Sequence, residues 1–137
     1  MAATPQIWKI ATAAEASKWE EHGLGAGSEL DQADCFIHAS DSTMVRNVAK
    51  MFFAGREDVV LLKLTLNSPP IVVQEEPDRS EAAGRATPTL HCLPDGCIHV
   101  FRPDQPTKWC AIRKYPLPLR AADGAHDFPT ECASQSK

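Results

Sequence analysis

The chain has no surplus of basic residues, no long apolar run and no paired cysteine motif, and each absence argues against a class of protein. It has 14 Lys and Arg against 18 Asp and Glu, a net charge of −4, which disfavours generic nucleic-acid binding. Residues 1–10 lack the apolar core of a secretion signal and no later run is long enough for a membrane span, so we expect no membrane association. Five cysteines without a Cys-x-x-Cys pair favour free thiols and a cytoplasmic location.

The 137 residues suffice for one domain with a hydrophobic core. A capping-box sequence at Thr12 predicts a helix as far as Glu21, and apolar residues with helical spacing predict a second helix over 44–53. Alternating or apolar runs predict strands over 6–10, 36–40, 58–66, 71–75, 89–92, 97–101 and 109–114. We therefore expect an α+β fold with two main helices and a mostly antiparallel sheet over residues 1–119, and a disordered tail over 120–137.

Two histidines in apolar, strand-like runs are the candidate catalytic residues. In Cys35-Phe36-Ile37-His38-Ala39-Ser40, alternation puts the His38 imidazole and the Ser40 hydroxyl on one face of a strand. His99 lies in a second run, Cys97-Ile98-His99-Val100-Phe101. If both side chains face one cleft, they form an acid/base pair. The alternative is that each is a core histidine whose nitrogens bond to the backbone.

The turn between Cys92 and Cys97 is a possible metal site. The Pro94-Asp95-Gly96 turn could bring the two thiols together, with His99 on the same face. The spacing is not a standard zinc pattern and no fourth ligand is evident, so we expect two thiols on a hairpin and no metal.

Several motifs of the chain resemble those of a family known as domain of unknown function 952. The main signature of that family, Asp-Gly-Phe-Ile-His-Leu-Ser, is matched by residues 34–40. Further matches are Ile7-Trp8-Lys9-Ile10, Gly27-Ser28 with Asp31, Phe53-Ala54-Gly55, Asp58-Val59-Val60-Leu61-Leu62, Gln74-Glu75 and residues 97–103. The resemblance extends over residues 6–119.

The resemblance implies a fold and a candidate ligand. The family is similar to a distant branch of the ADP-ribosyltransferase superfamily, in which a split antiparallel sheet surrounds an NAD cleft. Its histidine strand is similar to one in the RNA 2′-phosphotransferases. We therefore expect an ADP-ribosyltransferase-like fold and, as one hypothesis, an NAD or nucleotide site for a transferase or glycohydrolase reaction.

In that scheme, the resemblance implies a role for each candidate residue. His38 binds a ribose or diphosphate, His99 orients the ligand or transfers a proton, and Glu75 supports developing positive charge. Ser40 fixes the His38 ring or meets a phosphate, while Lys9 and Arg102 bind anionic groups. Trp8 could stack on a flat ligand or fill the core.

Two other functions stay open at this point. The histidine pair could move a proton on a small metabolite without a cofactor, as in a lyase, isomerase or cyclase. The domain could also be a binding module without catalysis, since Phe101 stands where the family has a tyrosine hydroxyl. The expected partner is a small molecule or nucleotide, and an exposed strand edge could pair two protomers as a homodimer.

Overall fold

The computed structural model describes residues 6–25, 27–34, 36–67, 69–73, 89–101 and 109–132, and these form one mixed sheet with helices packed on both faces. The strands are β1 (Ile7–Thr12), β2 (Ile37–Ser40), β3 (Val59–Leu66), β4 (Ile71–Val73), β5 (Thr89–Cys92), β6 (Cys97–Phe101) and β7 (Cys110–Pro116). The helices are α1 (Ala13–His22), α2 (Glu29–Asp34) and α3 (Met44–Phe52), with a 3-10 turn at Thr130–Cys132.

The sheet has the order β4-β5-β6-β2-β1-β3-β7, and its described pairs are antiparallel except for β4 with β5. This confirms the predicted α+β class with a mostly antiparallel sheet. The two central strands touch only briefly: β1 and β2 are in register at Trp8 and Ser40, whereas β1 follows β3 along its whole length. The sheet thus consists of two halves that meet at a narrow junction.

Each face of the sheet carries its own apolar cluster. On one face, Trp19 of α1 packs with Ile7, Ala11 and Ile37. On the other, Val45 and Ala49 of α3 pack with Trp8 and Leu61. Since alternate residues of β1 enter opposite clusters, both faces of the strand are buried.

Local sequence signals explain where the helices begin. The Thr12 hydroxyl accepts a hydrogen bond from the Glu15 N–H, and the Glu15 carboxylate accepts one from the Thr12 N–H, so the predicted capping box is confirmed. At α3, Asp41 Oδ1 accepts from the N–H groups of Thr43 and Met44. Two of the backbone N–H groups at this helix start, which have no partner within the helix, are therefore bonded to Asp41.

The helix α2 is an addition to the two predicted helices. The segment after the glycine-rich loop has no apolar periodicity, but Ser28 and Asp31 bond reciprocally. The Ser28 N–H donates to Asp31 Oδ2 at 3.0 Å and the Asp31 N–H donates to the Ser28 hydroxyl at 3.3 Å. A second capping box therefore starts a helix too short to show a hydrophobic face.

The described part of the expected tail, residues 120–132, is folded, which corrects the prediction of disorder there. Cys132 is fully buried against the Trp8 cluster, and His126 Nε2 bonds to the Arg56 carbonyl oxygen at 2.8 Å. A few anchoring side chains at irregular spacing hold the segment, and such spacing has no helical or strand period. Among the described residues, no helix has the length and hydropathy to cross a membrane.

Candidate functional site

A half-open cavity of about 560 Å³ lies at the junction of the two half-sheets. Its floor carries most of the polar groups, on β1, β2, β6 and the start of α2: Lys9, Ser28, Asp31, His38, Ser40, Cys97 and His99. Its walls come largely from α3 and the residue after it, with one residue each from α1 and α2, and are mostly apolar: Trp19, Leu30, Met44, Val45, Val48, Phe52 and Phe53. The volume lies within the range of about 300–1,000 Å³ typical of small-molecule sites.

His38 is held on both ring nitrogens by carboxylates of α2. Its Nδ1 lies 2.7 Å from Asp31 Oδ1, and its Nε2 lies 2.9 Å from Asp34 Oδ2. The backbone N–H of His38 also donates to Asp31 Oδ1, at 2.9 Å. The two carboxylates differ in environment, because the Asp31 side chain is 0% exposed and that of Asp34 is 44% exposed.

Asp31 is the polar centre of the floor. Its second oxygen, Oδ2, accepts from the Ser28 N–H at 3.0 Å and lies 3.0 Å from Lys9 Nζ. Burial by itself raises the pKa of Asp31, but the hydrogen bond from the His38 ring, the Lys9 charge and the two backbone donors outweigh it and hold the pKa far below its usual range. The group is therefore a permanent anion that orients the His38 ring.

Lys9 spans the junction between the half-sheets. Its Nζ donates to the His38 carbonyl oxygen at 2.7 Å as well as contacting Asp31, and its side chain is only 8% exposed. Two of the three ammonium donors thus stabilise the site itself. Lys9 lines the cavity, as predicted for a ligand contact, but its charge is matched inside the protein.

His99 lies beside His38 on the neighbouring strand. The two residues are in register on β2 and β6, and their ring centroids are 5.9 Å apart. Phe36 stacks on His99 at 4.2 Å, and the buried His91 of β5 follows at 5.5 Å on the other side. Cross-strand pairing therefore aligns three imidazoles, the first two of which line the cavity.

The structure brings together four of the seven predicted site residues, places one in the core and does not describe the other two. Lys9, His38, Ser40 and His99 line the cavity. Trp8 does not: it is fully buried in the α3 cluster, with its ring 5.9 Å from that of Tyr115, so it fills the core. Glu75 and Arg102 lie outside the described residues.

The described contacts do not include the expected bond between Ser40 and the His38 ring. The His38 ring is fixed by Asp31 and Asp34, and the amides at the start of α3 are capped by Asp41. Ser40 is buried, 5% exposed, at the narrowest point of the sheet opposite Trp8. It remains a candidate contact for a polar ligand atom.

Asp31 and Asp34 are the main residues that sequence reasoning did not select. The signal for Asp31 was the Ser28-x-x-Asp31 spacing, which is that of a capping box. The spacing of Asp31 and Asp34 by three residues also puts both carboxylates on one helix face. No period in the sequence indicates that this face meets His38.

Cys92 and Cys97 lie on opposite sides of the sheet and do not form a pair of metal ligands. Cys92 pairs with Ile98 and packs against the α1 side of the sheet, whereas Cys97 lines the cavity on the opposite side. Among the described residues, no group of three or more His, Cys, Asp or Glu side chains could hold a metal ion. Burial and the nearby Asp95 raise the pKa of the Cys97 thiol to about 11.

Comparisons with known proteins find relatives without an assigned reaction. A family model described as "Protein of unknown function (DUF952)" matches residues 10–83. The crystal structure of protein CC0527 from Caulobacter crescentus is 27% identical over 89% of this chain and 93% of that one, with a TM-score of 0.55. Its solution NMR structure gives 29% identity over 88% and 90%, with a TM-score of 0.53. No curated protein matches the chain.

Proposed function

The chain belongs to DUF952, a family of proteins of unknown function, and we propose that its cavity is the active site of a cofactor-independent acid/base enzyme acting on a small metabolite. The observation that carries the proposal is the contact of 2.7 Å between His38 Nδ1 and the fully buried Asp31 carboxylate. A buried anion on Nδ1 fixes the ring orientation and leaves Nε2 as the nitrogen that exchanges protons.

The partner of Nε2 is suited to displacement. Asp34 is 44% exposed at the end of a short helix, so its carboxylate can turn into solvent at little cost. Once the Nε2 proton has passed to Asp34 or to solvent, the free lone pair of Nε2 accepts a proton from a ligand atom in the cavity. His99, at a ring distance of 5.9 Å, supplies a second group for proton transfer on the same wall.

The simplest reaction for these groups is a proton shift beside a carbonyl. His38 Nε2 takes a proton from the adjacent carbon, and the electron pair of the broken C–H bond forms an enolate. The proton is returned to a different carbon, or a leaving group departs, which gives an isomerase or a lyase. The Ser40 hydroxyl at the floor donates to the negative oxygen of the intermediate.

A metabolite-pool turnover screen tests this proposal. We expect the wild type to convert at least one compound, and His38→Ala and His99→Ala to lose that conversion by about 100-fold or more. His22→Ala is the matched control, because His22 is exposed and does not line the cavity. Ligand-induced melting shifts with no turnover in the wild type would instead identify a binding module.

A second candidate is an ADP-ribosyltransferase-like fold with an NAD or nucleotide ligand and a transferase or glycohydrolase reaction. It is favoured by the position of the cavity at the junction of two half-sheets, where the split sheet of that superfamily has its cleft. Glu75 and Arg102 would supply the remaining charges. Isothermal titration with NAD, nicotinamide and ADP-ribose tests it, and no heat at millimolar concentration would contradict it.

A further inference from the structure

The charges that line the cavity cancel. Lys9 and Arg56 are balanced by Asp31 and Glu15, and each cation also has a carboxylate in contact. Lys9 Nζ lies 3.0 Å from Asp31 Oδ2, and Arg56 Nε donates to Asp58 Oδ1 at 2.8 Å. Among the described lining residues, no cation is left for a phosphate or carboxylate.

The mouth of the cavity carries exposed apolar side chains. Phe52 of α3 is 70% exposed and Leu30 of α2 is 59% exposed, and both line the cavity. Exposed large apolar groups cost free energy in water, and that cost is removed when a ligand covers them. Their position beside the apolar α3 wall marks where the apolar part of a ligand would lie.

Polarity thus changes in one direction, from floor to mouth. The floor residues Lys9, Asp31 and Ser40 are 7%, 1% and 5% exposed, and they and His38 offer hydrogen bonds at the closed end. The exposed lining residues are mainly apolar, and the charged one among them, Arg56, is bonded to Asp58. A ligand that satisfies both ends has a single polar head and an apolar body.

We infer that the cavity takes an uncharged amphipathic carbonyl or hydroxyl compound, with its head beside His38 and Ser40 and its aliphatic or aromatic body along α3 under Phe52. This inference rests on the proposed acid/base function and names its substrate class. A neutral carbonyl is also the group beside which a carbon-bound proton becomes acidic enough for a histidine to remove. A dinucleotide would place its two phosphates among apolar side chains and charges that are already paired. No new ion pair would then offset the free-energy cost of removing the phosphates from water.

Titration of the full chain with NAD and three small probes tests the inference by isothermal calorimetry and NMR. Benzylacetone has a neutral carbonyl and a phenyl body, phenylbutanoate carries a carboxylate instead, and butanone lacks the ring. We expect saturable binding of benzylacetone, about tenfold tighter than that of either analogue. Tighter binding of phenylbutanoate or of NAD than of benzylacetone would overturn the inference.

Two neighbouring residues of α3 give a matched pair of variants. Phe52→Ser removes an exposed ring that lines the cavity, and Met51→Ser removes an apolar side chain, 57% exposed, that does not line it. We expect benzylacetone affinity to fall about fivefold in Phe52→Ser and to stay unchanged in Met51→Ser. Equal affinities in the two variants would contradict the inference.

Binding and turnover separate this inference from the proposed function. His38→Gln is expected to abolish turnover while the order of probe affinities, benzylacetone above phenylbutanoate and butanone, is kept. If the turnover screen fails but the order of probe affinities holds, the ligand class stands and the acid/base reaction does not. If turnover is found only with anionic compounds, the reaction stands and the ligand class is wrong.

Discussion

Asp31 links three segments that are separate in the sequence, because its two oxygens receive donors from Ser28, Lys9 and His38. Each donor offsets part of the free energy lost when the charged carboxylate leaves water. Together the donors allow Asp31 to be buried and still carry its negative charge. The same set of contacts orients the His38 ring. One residue therefore connects the stability of the junction with the chemistry proposed there.

Replacement of Asp31 by Asn should be far more harmful than the same change at Asp34. Asp31→Asn leaves the Lys9 ammonium buried without its counter-ion, so we expect a loss of about 3–5 kcal/mol in the free energy of unfolding. Asp34→Asn, at a carboxylate 44% exposed, should cost less than about 1 kcal/mol. Urea unfolding measures both values, and equal losses would contradict the role given to Asp31.

The difference between wild type and Asp31→Asn should also depend on pH. The pKa of Asp31 is lowered in the folded protein, so the charged form stabilises the fold at pH values above the ordinary carboxyl pKa of about 3.9. That contribution is lost as the pH falls below about 4 toward the folded pKa. Repeating the urea measurements from neutral to acid pH should show a constant difference that shrinks only in the acid range.

At the scale of elements, the loop before α2 sets the position of this carboxylate. Gly27 has a φ of +82°, and a Cβ added there would overlap Asp31 Oδ2 and lie 2.7 Å from Ile37 Cδ1. Gly25 also has a positive φ, of +56°, but a Cβ there meets nothing within 4 Å. Both glycines therefore have a positive φ, which disfavours other residues, but only Gly27 also lacks room for a side chain.

Alanine at these two positions separates backbone strain from crowding. Gly25→Ala should cost about 1–2 kcal/mol in unfolding free energy from its positive φ alone. Gly27→Ala adds the overlap with Asp31, so we expect a further loss of about 1–3 kcal/mol. The NMR signals of the His38 ring should shift in Gly27→Ala and stay in place in Gly25→Ala; a shift in both would show that the loop acts as a whole.

Local elements could be predicted from the sequence where the signal is itself local. The capping box of Thr12 and Glu15 and the turn between β5 and β6 need only neighbouring residues, and both form as predicted. Convergence of His38 with His99 also followed the strand pattern, although their register depends on the pairing of β2 with β6. The link from Asp31 to Lys9 could not be predicted, because it depends on how α2 packs against two strands.

At the scale of the whole molecule, the C-terminal segment closes the α3 face of the sheet. The Glu131 carboxylate accepts hydrogen bonds from Lys63 and Tyr115, and Cys132 enters the cluster around Trp8. His126 bonds to the carbonyl oxygen of Arg56, a residue that lines the cavity. The segment that composition predicted to be a disordered tail therefore supports both the core and one wall of the site.

Truncation should reveal this support. A chain that ends at Arg120 loses the buried His126 and Cys132 and the Phe128 ring against which Arg46 packs at 4.8 Å. We expect its free energy of unfolding to fall by about 2 kcal/mol or more, since a fully buried apolar side chain contributes about 1.5–3 kcal/mol and the segment packs Cys132 fully and Phe128 partly against the Trp8 cluster. A chain that ends at Cys132 keeps all of these contacts and serves as the control for truncation itself. If urea unfolding finds the chain that ends at Arg120 as stable as the full chain, the segment packs on the sheet without stabilising it. The cavity wall at Arg56 is then held by α3 and by the ion pair between Arg56 and Asp58.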